Sequence, residues 1–520
     1  MRRNEARPGD RRSRPKMARR QRGTAHNAAM LDHDACYRAL LTRDARFDGR
    51  FFIAVTSTGI YCRPICPARP PKLAHCLFMP SAAAAQAAGF RPCLRCRPEA
   101  APELAVWRGT ANTVARALRL IDEGALDEGD VETLAGRLGV GGRHLRRLFR
   151  QHLGAAPIVV AQTRRLLFAK SLLADTNLPM TEVALASGYG SLRRFNAAMR
   201  RSWNRPPSAL RRGGSRSGPG DAGCVTIRLA YQPPFDWAAL VGFLGPRAIP
   251  GVEAVEGNCY RRTIALDGRH GVVEVRPAPQ GAQLEATIRF PVVAALGTIV
   301  NRLKRQFDLD ADAIAIGAHL SGDKLLAPLV AARPGLRVPG AWDPFELAVR
   351  AILGQQISVG AATVLAGRVA TSYGAPLLLE DGGPAPPGLS HVFPAPAALT
   401  AADPGVLRVP RTRAACIAGL AQALAAEPDL IAPILPLDET VERLCRLPGI
   451  GPWTAQYVAM RALREPDAFP SGDLGLRKAA VTAAGVPTTK ELEARSEAWR
   501  PWRAYAAIHL WFSLASVQGG

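Results

Sequence analysis

Two groups of residues in this chain have the types and spacing of reactive sites. The first is the run L-P-G-I-G-P-W-T-A-Q-Y at 447–457, followed twenty residues after Trp453 by an isolated carboxylate, Asp473, in F-P-S-G-D-L-G-L-R. A tight glycine turn between two helices points backbone N–H groups at a phosphate, and a carboxylate carried nearby can sit beside the nucleotide so held. These are the parts needed to excise a base from DNA. The second group is a C-x3-C at Cys62 and Cys66 with a C-x2-C at Cys93 and Cys96. Paired thiolates from two turns at these spacings close a tetrahedral zinc site. Zinc keeps a thiolate deprotonated at neutral pH, and a thiolate is a nucleophile suited to accepting an alkyl group. Disulfides or unrelated cysteines are the other readings, and an intracellular, Arg-rich setting disfavours the former. Cys36, Cys76, Cys224, Cys259, Cys416 and Cys445 show no such pairing and are expected to pack.

The elements that carry these groups must be several, because 520 residues exceed one core and suggest roughly three to four domains. No run of eighteen apolar residues occurs and no apolar stretch follows the Arg-rich start, so a soluble, cytoplasmic, nucleoid-associated protein away from membranes is expected. Of the net charge of +24, residues 1–212 hold +22, with 38 Lys and Arg against 16 Asp and Glu. A polyanion would be bound mainly there, by counterion release. Residues 1–29 have the composition of a basic disordered tail, and G-G-S-R-S-G-P-G-D-A-G at 213–223 that of a linker. Alternating runs such as V-V-E-V-R-P and L-E-A-T-I-R-F after it predict strands, and from Asp343 the pattern is helical.

Between the cysteines and the linker, 131–150 and 180–200 each read as a short amphipathic helix, a glycine turn and a basic second helix. Two such helix-turn-helix units about 50 residues apart fit two successive major grooves. Arg143, His144, Arg146 and Arg147 fall on the first candidate recognition helix, and Ser191, Arg193, Arg194 and Asn196 on the second.

The cysteine segments R-F-D-G-R-F-F-I-A-V-T-S-T-G-I-Y-C-R-P-I-C-P-A-R at 46–69 and G-F-R-P-C-L-R-C-R-P at 89–98 closely resemble the amino-terminal domain of the Ada adaptive-response family. The resemblance implies that Cys62 irreversibly accepts a methyl group from a methyl phosphotriester in DNA, that Cys66, Cys93 and Cys96 complete the zinc site, and that Arg69 contacts DNA. Methylating one of four zinc-bound thiolates takes the site from a formal −2 to −1, which is expected to tighten DNA binding. The two helix-turn-helix units, with W-N-R-P-P-S after the second, resemble the AraC-type DNA-binding domain. RNA polymerase is the partner this implies. No P-C-H-R segment is present, so repair of O6-methylguanine is not expected.

Residues 225–520 resemble the AlkA-type 3-methyladenine DNA glycosylase II family, a helix-hairpin-helix fold, through Y-Q-P-P-F-D-W-A-A-L-V-G-F-L at 231–244, A-V-R-A-I-L-G-Q-Q-I-S-V at 348–359, the 447–457 hairpin, Asp473 and W-R-P-W-R-A-Y-A-A-I-H-L-W at 499–511. Breaking the glycosidic bond builds oxocarbenium-like charge on the sugar, which Asp473 would stabilise while positioning water. Asp467 instead suits a helix end. The resemblance places Trp453, Tyr457, Phe243 and Trp511 around the extruded base, whose positive charge aromatic faces attract. Trp499 and Trp502 are assigned to packing. The amides of Gly449, Gly451 and Thr454 would hold phosphate, and the carbonyls of Cys445, Leu447 and Ile450 match a monovalent-cation site. Gln355 and Gln356 are placed on DNA, Gln356 standing where a familiar member has a wedging Leu; Leu474 replaces a Tyr beside the aspartate. Bifunctional relatives carry Lys at the position of Trp453, so base release without strand cleavage is expected.

The expected architecture is multidomain α+β. It comprises a tail (1–29), a zinc methyl-acceptor domain (30–104), an AraC-type double helix-turn-helix (105–212), a linker (213–223), an AlkA-type α+β N-domain (224–335) and an all-α helix-hairpin-helix glycosylase domain (336–520). The function implied is excision of alkylated purines from double-stranded DNA coupled to a methyl-phosphotriester-sensing activator. The alternative is a regulator whose glycosylase half only grips DNA.

Overall fold

The computed structural model describes residues 32–102, 111–127, 129–211, 224–482 and 485–517. The expected tail and linker lie outside them. The first sheet contains β1 (Phe52–Val55), β2 (Ile60–Cys62), β3 (Cys76–Met79) and β4 (Arg91–Pro92) in the order β3-β1-β2-β4. β1 is apolar throughout because both faces are covered, Ile53 and Val55 facing Phe51 and Phe78, and Phe52 and Ala54 facing Tyr61 and Ala85. β2 and β4 run parallel with Tyr61 opposite Pro92, and the Cys93 N–H donates to the Tyr61 carbonyl at 3.0 Å. That register delivers Cys62 and Cys93 side by side.

The helix-turn-helix units are Val131–Arg137 with Gly142–Leu153, and Met180–Ala186 with Leu192–Trp203, bridged by Pro157–Asp175. Asp130 caps the first helix by accepting the Thr133 N–H at 2.7 Å. Both second helices end on a left-handed residue, Gly154 and Asn204. Leu145, Leu148, Phe149 and Leu153 bury one face of the first, and Phe195, Met199 and Trp203 that of the second.

The second sheet is antiparallel, with β5 (Cys224–Ala230), β6 (Glu253–Glu256), β7 (Cys259–Leu266), β8 (Arg269–Pro277) and β9 (Gln283–Arg289) in the order β5-β9-β8-β7-β6. Its apolar face takes alternate residues such as Leu284, Ala286 and Ile288. Helices follow. Pro344–Leu353, Val359–Tyr373, Leu437–Cys445 and Pro452–Arg461 surround one apolar core, and Leu474–Ala479 and Arg503–Val517 close another with Met460, Phe469 and Trp499. Among the described residues no helix is long and apolar enough to cross a membrane.

The two halves are packed together. Leu172, Phe195, Trp203 and Leu210 of the second helix-turn-helix unit share one core with Ile227, Tyr260, Ile299 and Phe307. Polar contacts extend the contact area, with Asn301 donating to the Asp122 carbonyl at 2.6 Å and the Arg119 guanidinium to the carbonyls of Leu463 and Arg464. Burial pushes Arg119 down to about 10, partly opposed by Glu465.

Candidate active site and metal centre

The hairpin joins the helices Leu437–Cys445 and Pro452–Arg461. Gly449 adopts φ +90°, and a Cβ there would lie 2.8 Å from the Cys416 sulfur. Pro452 begins the second helix, where its missing N–H costs nothing. Among the described residues, the amides of Gly449, Gly451 and Thr454 donate to no protein acceptor. Gly449→Ala is expected to cost about 1–3 kcal/mol through strain and overpacking. Thermal unfolding together with DNA affinity measures this, and both should fall.

Asp473 lies beside this hairpin, half-buried, as the N-cap of Leu474–Ala479. Its Oδ1 accepts the Leu476 N–H at 2.9 Å and the Trp511 indole N–H at 3.0 Å, and its Oδ2 accepts the Trp453 indole N–H at 2.9 Å. A carboxylate offers about four lone-pair sites, so three bonds leave it fixed yet able to take one more partner. Gly475 is required here: a Cβ on it would come within 2.9 Å of Asp473 Oδ1 and 3.5 Å of the Trp511 ring.

A cavity of about 1100 Å³ opens at this point, lined by Asp473, Trp453, Tyr457, Trp511, Phe243 and Leu474 among others. Trp453 and Tyr457 stack with centroids 5.3 Å apart and an interplanar angle of 12°, as residues four apart on one helix can. Trp511 tilts against Tyr457 at 6.2 Å. No lysine lines the cavity among the described residues.

Several expectations change. Phe243 lines the cavity, but the Arg247 guanidinium covers its ring at 3.8 Å, so that face is closed to a base. Gln355 lines the cavity and commits its Nε2 to the protein, donating to the Gly449 carbonyl at 3.0 Å and to Thr454 Oγ1 at 3.1 Å, which fastens the hairpin to the end of Pro344–Leu353. Gln356 is exposed at the cavity mouth in a left-handed conformation, φ +59°. Asp467 is not at a helix end but ion-paired with Arg500 and Arg503. Burial pushes the Tyr457 phenol up, and the Arg461 and Arg247 guanidiniums outweigh it, so its net shift is downward. Arg247, Arg350 and Arg461 were not singled out by the sequence, although Arg461 continues the Trp453, Tyr457 spacing by four.

In the metal centre the sulfurs of Cys62, Cys66, Cys93 and Cys96 all lie within 4.8 Å of one another, with no disulfide among them. Sulfurs at about 2.3 Å from a tetrahedral zinc fit this spacing. The Arg63 N–H points at Cys96 Sγ at 3.3 Å and the Arg95 N–H at Cys93 Sγ at 3.4 Å. Cys66, Cys93 and Cys96 are buried, whereas Cys62 is partly exposed. The Arg63 side chain braces the loop through Asp48 and the Cys96 carbonyl.

Three families match successive parts of the chain: the metal binding domain of Ada over 35–99, a helix-turn-helix domain over 134–213 and the AlkA N-terminal domain over 226–343. A Mycobacterium tuberculosis protein described as "Probable bifunctional transcriptional activator/DNA repair enzyme AlkA" is 42% identical over 487 residues, 93% of this chain and 97% of that protein. The chain belongs to the Ada–AlkA fusion family. Its second half is also similar to the DNA-3-methyladenine glycosylase 2 of Escherichia coli, 37% identical over 291 residues, which are 55% of this chain and 96% of that enzyme. The solved 3-methyladenine DNA-glycosylase from Archaeoglobus fulgidus superposes with a TM-score of 0.48 at 24% identity, covering 55% of this chain and 96% of that one.

In this family setting the recognition helices present basic groups outward. Arg143, His144 and Arg147 are exposed on the first, while Arg146 is tied to Glu132 at 2.8 Å. Arg193 and Arg194 are exposed and Asn196 half-buried on the second. Ser191 precedes that helix as its N-cap, accepting the Arg194 N–H at 3.3 Å, so its hydroxyl is committed to the backbone. Arg69 is exposed, three residues past Cys66.

Proposed function

We propose that this chain removes alkylated purines of the 3-methyladenine type from DNA by hydrolysing the N-glycosidic bond, and that its first half senses methyl phosphotriesters and activates transcription. The observation that carries the first part is the Asp473 carboxylate held between two indole N–H groups at the wall of an aromatic cavity. An extruded purine stacks on the Trp453–Tyr457 pair, with Trp511 against its edge. As the bond from C1′ to the purine nitrogen breaks, its electron pair goes to the base. Asp473 stabilises the positive charge left on the sugar and orients the water that adds to C1′. The unpaired amides of Gly449, Gly451 and Thr454 support a role in gripping the adjacent phosphate, and Gln356 at the mouth is positioned to fill the space the base leaves. A monovalent cation at the carbonyls of Cys445, Leu447 and Ile450 would reinforce that grip.

With Trp453 at the place of the bifunctional lysine, no amine is available to form a Schiff base. The purified full chain should release methylated purines from duplex DNA and leave abasic sites without nicks. Nicks produced at the rate of base release would refute the monofunctional reading, and absence of release would leave a DNA-binding regulator.

In the first half the sulfurs of Cys62, Cys66, Cys93 and Cys96 would hold zinc, which would keep them as thiolates. Cys62, the one residue of the four that is not fully buried, is the methyl acceptor: its sulfur bonds the methyl carbon, the carbon–oxygen bond to the phosphotriester breaks, and a phosphodiester anion leaves. Arg69 and the helix-turn-helix residues Arg143, His144, Arg147, Arg193, Arg194 and Asn196 then engage promoter DNA. RNA polymerase is the partner of the activated state.

A further inference from the structure

We propose that the helix Ala111–Asp122 of the first half is the seat of the glycosylase hairpin, and that Arg116 and Arg119 on it are positioning residues for the grip on damaged DNA. The inference rests on the reading above that the hairpin amides hold a phosphate, and extends it to residues outside the glycosylase half.

The far ends of the two hairpin helices meet the helix Ala111–Asp122. Arg116 Nη1 donates to the Ile434 carbonyl at 3.1 Å, in the segment that enters Leu437–Cys445. One turn along, Arg119 donates to the carbonyls of Leu463 and Arg464, the second at 2.9 Å, just past the Ala462 cap of Pro452–Arg461. Residues three apart share a helix face, so one face of a single helix holds the entry and the exit of the hairpin together. The hairpin helices have nine and ten residues. At about 1.5 Å per residue the turn amides lie roughly 14 Å along the helix axes from this contact, which leaves them open to DNA.

The chemistry of the contact suits a fixed seat. Carbonyls beyond a helix C-terminus carry the negative end of its dipole, and a guanidinium can fork over two of them. Glu465 stands 3.6 Å from Arg119, so the charge is paired where it is buried. Arg116 is itself buried and takes Thr113 Oγ1 as a second acceptor at 3.3 Å. Ile434 packs against the core of the first helix-turn-helix unit, and Arg137 of that unit reaches Asp429 at 3.3 Å.

The seat is held from its other sides. Val114, Ala117, Leu118 and Ile121 share a core with Leu145 and Phe149 of the first recognition helix. At the C-terminal end, Asn301 donates to the Asp122 carbonyl at 2.6 Å, and Arg305 pairs with Glu123. A support already ordered by its cores adds little entropy cost when DNA is gripped. The glycosylase half keeps ties of its own at the same place: Arg464 pairs with Asp308 and donates to the Val338 carbonyl at 2.8 Å. Loss of the two arginines should therefore loosen the hairpin without unfolding it.

The test compares full-length wild type, Arg119→Ala, Arg119→Lys and the double variant Arg116→Ala/Arg119→Ala. Two quantities are read: affinity for a duplex holding an abasic-site analogue against the same undamaged duplex, and release of 3-methyladenine from methylated duplex over a range of enzyme concentrations. In the double variant the preference for the abasic-site duplex should fall about tenfold, the scale of one charge-assisted hydrogen bond. The half-saturating enzyme concentration for release should rise by the same factor, while the limiting rate stays near that of wild type. Affinity for undamaged DNA, carried mainly by the basic first half, should hold. Arg119→Lys keeps a point charge that cannot fork over two carbonyls, and should fall between wild type and Arg119→Ala. An unchanged preference in the double variant would overturn the proposal. So would a limiting rate or an undamaged-DNA affinity that falls in step with it, since the arginines would then be general packing residues. Failure of the wild type itself to release a base would strike the glycosylase reading, whereas the abasic-site preference would still decide the seat.

Discussion

Asp473→Asn should reduce base release by about 100- to 1000-fold or more, the scale on which loss of one preorganised electrostatic group acts at a transition state. The geometry makes the reason specific. Asn can still accept the Leu476 and Trp511 N–H groups through its oxygen, so the N-cap survives and the helix Leu474–Ala479 should hold. Its NH2 group, however, faces the Trp453 indole N–H, a donor against a donor, and the negative charge beside the sugar is gone. The variant should therefore unfold within a few degrees of wild type and bind abasic-site DNA, with base release lost. Release kinetics, thermal unfolding and DNA binding measured on one preparation separate these effects. Normal release by the variant would remove Asp473 from the chemistry.

The second large effect should follow removal of the metal. The strands that deliver the cysteines are short: β2 spans Ile60–Cys62 and β4 only Arg91–Pro92, and the loops Cys62–Cys66 and Cys93–Cys96 converge through their sulfurs. Structural zinc sites contribute about 10–16 kcal/mol of apparent binding free energy, much of it folding free energy. Chelation, or Cys93→Ala at a buried ligand, should open this region to protease, end methyl uptake and leave the glycosylase half active, because the two cores around its cavity include no residue of the cysteine region. Cys62→Ala should also end methyl uptake; retained uptake would move the acceptor to another sulfur. Zinc content by mass spectrometry and transfer of labelled methyl groups from phosphotriester DNA give the readouts.

Much of this site was legible because its signals are local. The C-x3-C and C-x2-C spacings fix which sulfurs can meet, and the G-x-G turn, with Pro452 opening a helix, fixes where amides are left unpaired. Asp473 was visible as an acidic residue after F-P-S-G. It serves as a helix cap as well, since the same oxygen that caps Leu474–Ala479 accepts from Trp511. Trp511 and Phe243 were reachable only by resemblance, since they come from chain positions far apart.

What sequence by itself determined are the groups whose chemistry is set by near neighbours: the zinc cysteines, the hairpin amides, the helix-turn-helix pattern and the carboxylate. The tertiary structure alone decided what those groups face. It committed the Gln355 amide to the hairpin and closed Phe243 with Arg247. It also brought arginines from three segments to one cavity wall and merged the second helix-turn-helix unit with the following sheet into one core. Hydrophobic burial is non-directional, so periodicity shows that a face will be buried but not against which partner. A guanidinium can bind a carbonyl, cover an aromatic ring or await a ligand, and only the fold supplies the groups that decide among them.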